Sequence, residues 1–129
     1  MNERKVQIYG TGAYRPGKRV TDAEMDAWLG VERGWTRRTT DVAVRHFVRD
    51  GETAAEMGAK AANAALTAAG MTFADIDCLV CASGTKQQAL PCTAVFIQQA
   101  MGQGQSGVPA FDIDSTCLSF LTAMDVMSC

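Results

Sequence analysis

Apolar positions along the chain fall into short blocks separated by glycine and charged residues, and the blocks alternate between two periods. Val6 to Tyr9 predicts a first strand, running into Gly10-Thr11-Gly12 and then a turn at Arg15-Pro16-Gly17-Lys18. Met25, Trp28 and Leu29 recur at helical spacing. Thr21-Asp22-Ala23-Glu24 precedes them as a capping box, and Gly30 stops them. From Val31 to Asp50 the apolar period is lost. Five arginines (Arg33, Arg37, Arg38, Arg45 and Arg49) stand there, predicting a charged loop with a short extended piece around Val42 to Val48.

A second capping box, Thr53-Ala54-Ala55-Glu56, opens the strongest helical pattern, ending at Gly70. Met57, Ala61, Ala64, Ala65 and Ala68 are its periodic set, small enough for a neighbouring element to pack closely. After a turn at Ala74-Asp75, the run Ile76 to Ala82 has little polar alternation, as expected of a strand buried on both faces. A polar loop, Ser83 to Ala89, leads to Pro91 at the first turn of a helix carrying Val95, Phe96, Ile97 and Met101 to Gly102. Pro109 to Ile113 predicts another strand. Asp114-Ser115-Thr116 then offer N-caps to a helix beginning near Cys117. Helices alternating with buried strands indicate a layered α/β fold.

Composition narrows the function. With 129 residues, 47% hydrophobic and 20% charged, the chain is sized for one globular domain. A net charge of -2 argues against a nucleic-acid binder, which more often carries a basic surplus. The charged start, Met1 to Lys5, leads into no apolar signal core, and no apolar run has the length of a membrane span. Five cysteines, an odd number without an export signal, predict reduced thiols and a cytoplasmic setting. Gly10-Thr11-Gly12 is not a dinucleotide fingerprint, because Arg15 stands where the third glycine belongs. His46, the single histidine, reads as a surface or structural imidazole.

One cysteine is chemically distinct. Cys117 follows a predicted buried strand and borders the start of a helix carrying Leu118, Phe120, Leu121 and Met124. Unpaired N–H groups and the positive helix end stabilise a thiolate there, and can hold an oxyanion during acyl transfer. The competing reading is a small apolar filler, the usual role of a buried cysteine. Cys78 and Cys81 form a C-x-x-C, but three positions apart on a strand point to opposite faces. With Cys92 in a helix's first turn and Cys129 last, no zinc set is completed and no metal is expected.

In order along the chain, Ile8-Tyr9-Gly10-Thr11-Gly12-Ala13-Tyr14-Arg15-Pro16, Trp35 to His46, Glu52 to Gly70, Ile76 to Gly84, Leu90-Pro91, Pro109 to Ile113 and Thr116-Cys117-Leu118-Ser119-Phe120 resemble β-ketoacyl-ACP synthase III. The most specific of these is Phe-Asp-Ile-x-x-x-Cys-x-x-Phe. The resemblance implies the N-terminal portion of a thiolase-like fold, a layered α/β architecture with a mixed central sheet. It implies that Cys117 attacks an acyl-CoA thioester and keeps the acyl group, after which malonyl-ACP decarboxylates and condenses with it. Trp35 matches a tryptophan stacking on the CoA adenine, Arg37 and Arg38 can reach CoA phosphates, and Leu90 with Pro91 matches a loop reaching the acyl channel across a dimer interface. Expected partners are acyl-CoA, acyl carrier protein and a second copy in a homodimer, with Ala110 to Ile113 near its interface. No cofactor is implied.

Two departures stand out. Thr39 occupies an arginine position and Asp41 a glycine position, so a carboxylate stands where phosphates are expected. Leu118 and Ser119 replace smaller residues, and with Met124-Asp125 resemble enzymes that condense two acyl thioesters head to head without decarboxylation. The histidine and the asparagine, or second histidine, that condensing enzymes of this type draw from their C-terminal half are not among these residues. Residues 1–129 are thus expected to be an incomplete N-terminal domain, probed against the alternative of a complete, non-catalytic binding or dimerisation module.

Overall fold

The computed structural model describes residues 5–129. They divide into two compact units: one holds the described residues up to Tyr14 together with Thr53–Cys129, the other Arg15–Glu52.

The smaller unit pairs β1 (Lys18–Thr21) antiparallel with β2 (Val44–Phe47), Val20 facing Arg45. Thr21 ends β1 and caps α1 (Asp22–Leu29). Its hydroxyl accepts from the Glu24 N–H, the Glu24 carboxylate accepts from the Thr21 N–H at 2.7 Å, and Gly30 closes the helix at φ 67°. The capping box read from the sequence is therefore formed at both ends of its reciprocal bond. The buried residue of α1 is Asp26, not an apolar one. Trp28 lies on the surface with its ring edge-on to Phe47, centroids 5.7 Å apart, and the Lys18 ammonium 4.7 Å from its centroid. A second helix, α2 (Trp35–Thr40), lies where a charged loop was expected. Of the turn expected at residues 15–18, Lys18 already belongs to β1, whose Val20 is 2% exposed.

The larger unit is built on α3 (Ala54–Ala69), with Thr53 and Glu56 in the second capping box and Gly70 in the left-handed C-cap conformation. Ala55 and Ala59 pack with Ile97 of α4 (Thr93–Ala100) as the buried cluster, with Leu79, Cys81, Phe96 and Met101 against it. Gly58 faces the same contact. A methyl there would lie 2.8 Å from Ile97 Cδ1, so the helices approach to the limit of the glycine. The alanine-rich face does pack on a neighbour, but Ala64 and Ala68 of the expected set point to solvent. β3 (Leu79–Ala82) pairs parallel with β4 (Ala110–Ile113), Leu79 opposite Ala110. The strand expected from Ile76 is shorter, because a 3₁₀ turn over Phe73–Asp75 delays the extended run. Cys78 thus precedes the strand. A parallel pair joined through α4 matches the α/β class.

The strand expected at Val6 to Tyr9 is not formed: the segment joins no ladder, and Ile8 and Tyr9 are both 68% exposed. Its following glycines explain its course. Methyl groups at Gly10 and Gly12 would strike the α3 backbone around Ala61, Ala65 and Ala69, so glycine lets this segment lie along the helix. An open, mostly apolar cleft of about 420 Å³ is lined by Tyr9, Gly10, Leu66, Cys78 and Leu79 among others. Finally, α5 (Ser119–Met127) packs on β3 and β4. Among the described residues no helix is long and apolar enough to cross a membrane.

Candidate active site

The elbow after β4 carries the candidate nucleophile. The helix expected to begin near Cys117 instead starts at Ser119, and Thr116–Leu118 forms a 3₁₀ turn. Thr116 has φ 52°, the left-handed region that a β-branched residue rarely adopts. Short-range bonds hold it there. Asp114 Oδ1 accepts from the Thr116 N–H at 3.0 Å, and the Thr116 hydroxyl donates to the Ser115 carbonyl at 2.7 Å. Ser119, 3% exposed, closes the turn: its hydroxyl accepts from the Ser115 N–H at 2.9 Å and donates to the Thr116 carbonyl at 2.8 Å. Serine at a position read as a departure from the family thus has a role as the staple of the elbow.

Cys117 emerges from this turn exposed. Leu118, the N-cap of α5, supplies no side-chain acceptor. The first turn of α5 thus meets no capping side chain, and the Ser119 N–H at its start donates to the Thr116 carbonyl. Around it Leu118, Phe120 and Leu121 are 59%, 64% and 61% exposed. Gly84 lies close behind the elbow, where a methyl would meet Thr116 Cα at 3.4 Å.

The remaining thiols have other surroundings. Cys81 lies on β3, half-buried, and burial pushes its thiol pKa up, with Asp112 and Cys92 adding to the rise. Asp112 itself accepts from the Thr93 and Ala94 N–H groups, each at 2.8 Å, and so caps α4 from β4. Cys92 is the N-cap of α4 and not in its first turn, and its thiol lies 3.7 Å from the Ala110 carbonyl. Pro91 likewise stands outside the helix, which begins at Thr93. Leu90 is 83% exposed in the preceding loop. Among the described residues, no group of three or more histidine, cysteine or acidic side chains is placed to hold a metal.

In the smaller unit, Trp35 is the first residue of α2 and 38% exposed. Its flanks are held by one carboxylate. Asp26 Oδ2 accepts from the Gly34 N–H at 2.6 Å and Oδ1 from the Thr36 N–H at 2.8 Å. The Thr36 hydroxyl is buried and meets no acceptor in hydrogen-bonding geometry, yet it lies close enough to act on the same carboxylate electrostatically. Thr36 and Gly34, with Arg38 contributing, hold the Asp26 carboxyl below the usual carboxylate range. Arg37 pairs with Asp41 at 3.3 Å, and Arg38 with Glu32. Asp41 therefore engages an arginine of its own helix. Both pairs are exposed and worth little by themselves. His46 is exposed, its Nδ1 2.9 Å from the Pro16 carbonyl oxygen, in keeping with a structural imidazole.

The structure thus places Cys117 and Leu90 in the larger unit and Trp35, Arg37 and Arg38 in the smaller. Sequence reasoning missed Asp26 and Ser119. The signal for Asp26 was an absence: Gly34 precedes Trp35 without a local capping side chain, so an acceptor had to come from elsewhere.

No protein-family model matches the chain. It is similar to β-ketoacyl-[acyl-carrier-protein] synthase III of Rhodospirillum rubrum, 39% identical over 119 residues, covering 92% of this chain and 36% of that protein. Among solved structures, 3-oxoacyl-[acyl-carrier-protein] synthase III from Aquifex aeolicus is 30% identical with a TM-score of 0.83, covering 93% of this chain and 38% of the other. The priming β-ketosynthase of the R1128 polyketide pathway is 28% identical with a TM-score of 0.84, covering 99% and 38%. The resemblance and the thiolase-like α/β fold read from the sequence therefore hold along nearly the whole chain. The chain spans little more than a third of the length of the relatives it matches.

Proposed function

We propose that this sequence supplies the acyl-accepting part of a condensing enzyme of the 3-oxoacyl-ACP synthase III type. The observation that carries the proposal is the elbow. A β-branched residue at positive φ, stapled by a buried serine, presents the exposed Cys117 beside a helix start that has no side-chain cap. Similarity to 3-oxoacyl-ACP synthase III along nearly the whole chain supports the reaction class.

In this reading the Cys117 thiolate attacks the carbonyl carbon of an acyl-CoA thioester. The carbon–sulfur bond to CoA breaks, CoA leaves as its thiolate, and the acyl group stays on Cys117. Malonyl-ACP then loses carbon dioxide. Its α-carbon bonds to the acyl carbonyl carbon, and the bond to Cys117 breaks to return the thiolate. Trp35, Arg37 and Arg38 receive the nucleotide end of CoA, and Leu90 borders the acyl group. Histidine and asparagine donors for the condensation step are assigned to residues outside these 129, and the active assembly is a homodimer in the cytoplasm.

The test is radiolabelled malonyl-ACP condensation by a polypeptide of the relatives' length that contains this sequence. Cys117→Ala is expected to abolish product. Product formation by that variant at the parent rate would overturn the assignment.

A further inference from the structure

The Trp35 turn has a feature that helix capping alone does not require. Its three consecutive N–H groups are all taken: Gly34 and Thr36 donate to the two oxygens of Asp26, and Trp35 donates to the Glu32 carbonyl at 3.1 Å. Asp26 is 3% exposed and Thr36 2%, whereas the indole between the clamped neighbours stays 38% exposed. A carboxylate that accepts on both sides of one residue restricts that residue's backbone from both ends. Gly34, at φ 86°, provides the bend that lets both N–H groups converge. Arg38 of the same helix is drawn to Glu32 and donates to the Arg33 carbonyl at 3.4 Å, closing the turn from the other side.

We propose that Asp26 is a positioning residue for nucleotide recognition, its two carboxylate oxygens clamping the backbone on either side of Trp35 so that the indole is held ready to stack on a purine. The proposal rests on the reading that Trp35 receives the nucleotide end of CoA. It goes beyond that reading by assigning the ordering of the indole to a residue that does not touch the ligand. Stacking on a mobile ring must first immobilise it, so a pre-set indole binds more tightly for the same contact. Asparagine at this position keeps one acceptor oxygen but turns an NH₂ group toward the second N–H. It therefore breaks half of the clamp with almost no change in volume.

Trp28 and Trp35 are the two tryptophans of these 129 residues. In a polypeptide of the relatives' length that contains them, Trp28 and any further tryptophan are replaced by phenylalanine, which leaves Trp35 as the single reporter. In that background, fluorescence anisotropy of Trp35 is measured for Asp26 and Asp26→Asn without ligand, followed by titration with CoA. Asp26→Asn is expected to lower the anisotropy at temperatures where circular dichroism shows the fold intact, and to weaken CoA binding by about tenfold. Asp26→Glu, which keeps both acceptors, is expected to recover part of each. Unchanged anisotropy in Asp26→Asn would overturn the clamp, whether or not its melting temperature falls. If the Trp28→Phe parent does not bind CoA, the nucleotide reading of Trp35 fails and the positioning role in nucleotide recognition falls with it. If the parent binds and Asp26→Asn mobilises Trp35 without weakening CoA, the clamp exists but positions nothing, and the proposal is equally overturned.

Discussion

The Trp35 turn and the Cys117 turn are both short bends opening helices whose first residues have no local side-chain cap, yet they are secured in opposite ways. Trp35 is held by a buried carboxylate eight and ten residues away from the N–H groups it accepts. Cys117 is held by bonds that each span at most four positions, through Asp114, Ser115, Thr116 and Ser119. Around Trp35 the flanking Thr36 is buried, whereas around Cys117 Leu118, Phe120 and Leu121 remain exposed. The Trp35 turn is completed within the 38 residues of its own unit (Arg15–Glu52) by one acid. The Cys117 turn is set by local bonds, while the apolar side chains beside it stay open to solvent.

The comparison is broken most directly by separating the two turns. Cys117→Ala should remove all acyl transfer to the protein while leaving CoA binding unchanged, as read by intact mass and by tryptophan fluorescence. Trp35→Ala should do the reverse. CoA binding is expected to weaken by about tenfold to a hundredfold, the range for losing one aromatic stack on a base, with Cys117 still alkylated by iodoacetamide at the parent rate. A shared loss in both assays from either variant would show that the turns do not act separately.

Smaller effects sharpen the contrast. Ser119→Ala removes one acceptor and one donor from a buried elbow and should cost about 1–3 kcal/mol of stability in denaturant unfolding. It should also change the alkylation rate of Cys117. Thr53→Ala, which removes a cap far along the chain from either turn, should cost about 1 kcal/mol and leave that rate alone. The pH dependence concerns Asp26. Its folded pKa is lowered by Thr36 and Gly34, so the stability it contributes is present above the unfolded value of about 4 and is lost as pH falls through the folded value. Trp35 anisotropy should therefore hold from neutral pH to about 4 and decline below it, with the decline missing in Asp26→Asn.

Legibility in the sequence follows the range of the interactions. The helices opened by Thr21 and Thr53 were readable because cap and capped residue lie three positions apart. The strand Ala110–Ile113 was readable from its apolar run, and the place of Cys117 in the turn between strand and helix from the polar residues there. What was hidden depends on distant partners. The helix at Trp35 has no local cap and takes its acceptor from Asp26, so an arginine-rich stretch looked like a loop. Val6 to Tyr9 has strand composition but no ladder partner among the described residues, and lies along α3 instead. The start of α5 moved two residues because Thr116 takes a left-handed conformation that no propensity scale assigns to threonine.

The account's central claim is that one thiol of five accepts the acyl group. It is tested by mixing a polypeptide of the relatives' length that contains this sequence with acyl-CoA, quenching within a single turnover, and mapping the added mass by peptide. The account predicts acyl mass on the peptide containing Cys117, with Cys81, held as a thiol by burial, unmodified. Acyl mass on Cys78, Cys81, Cys92 or Cys129, or persisting unchanged in Cys117→Ala, would contradict it.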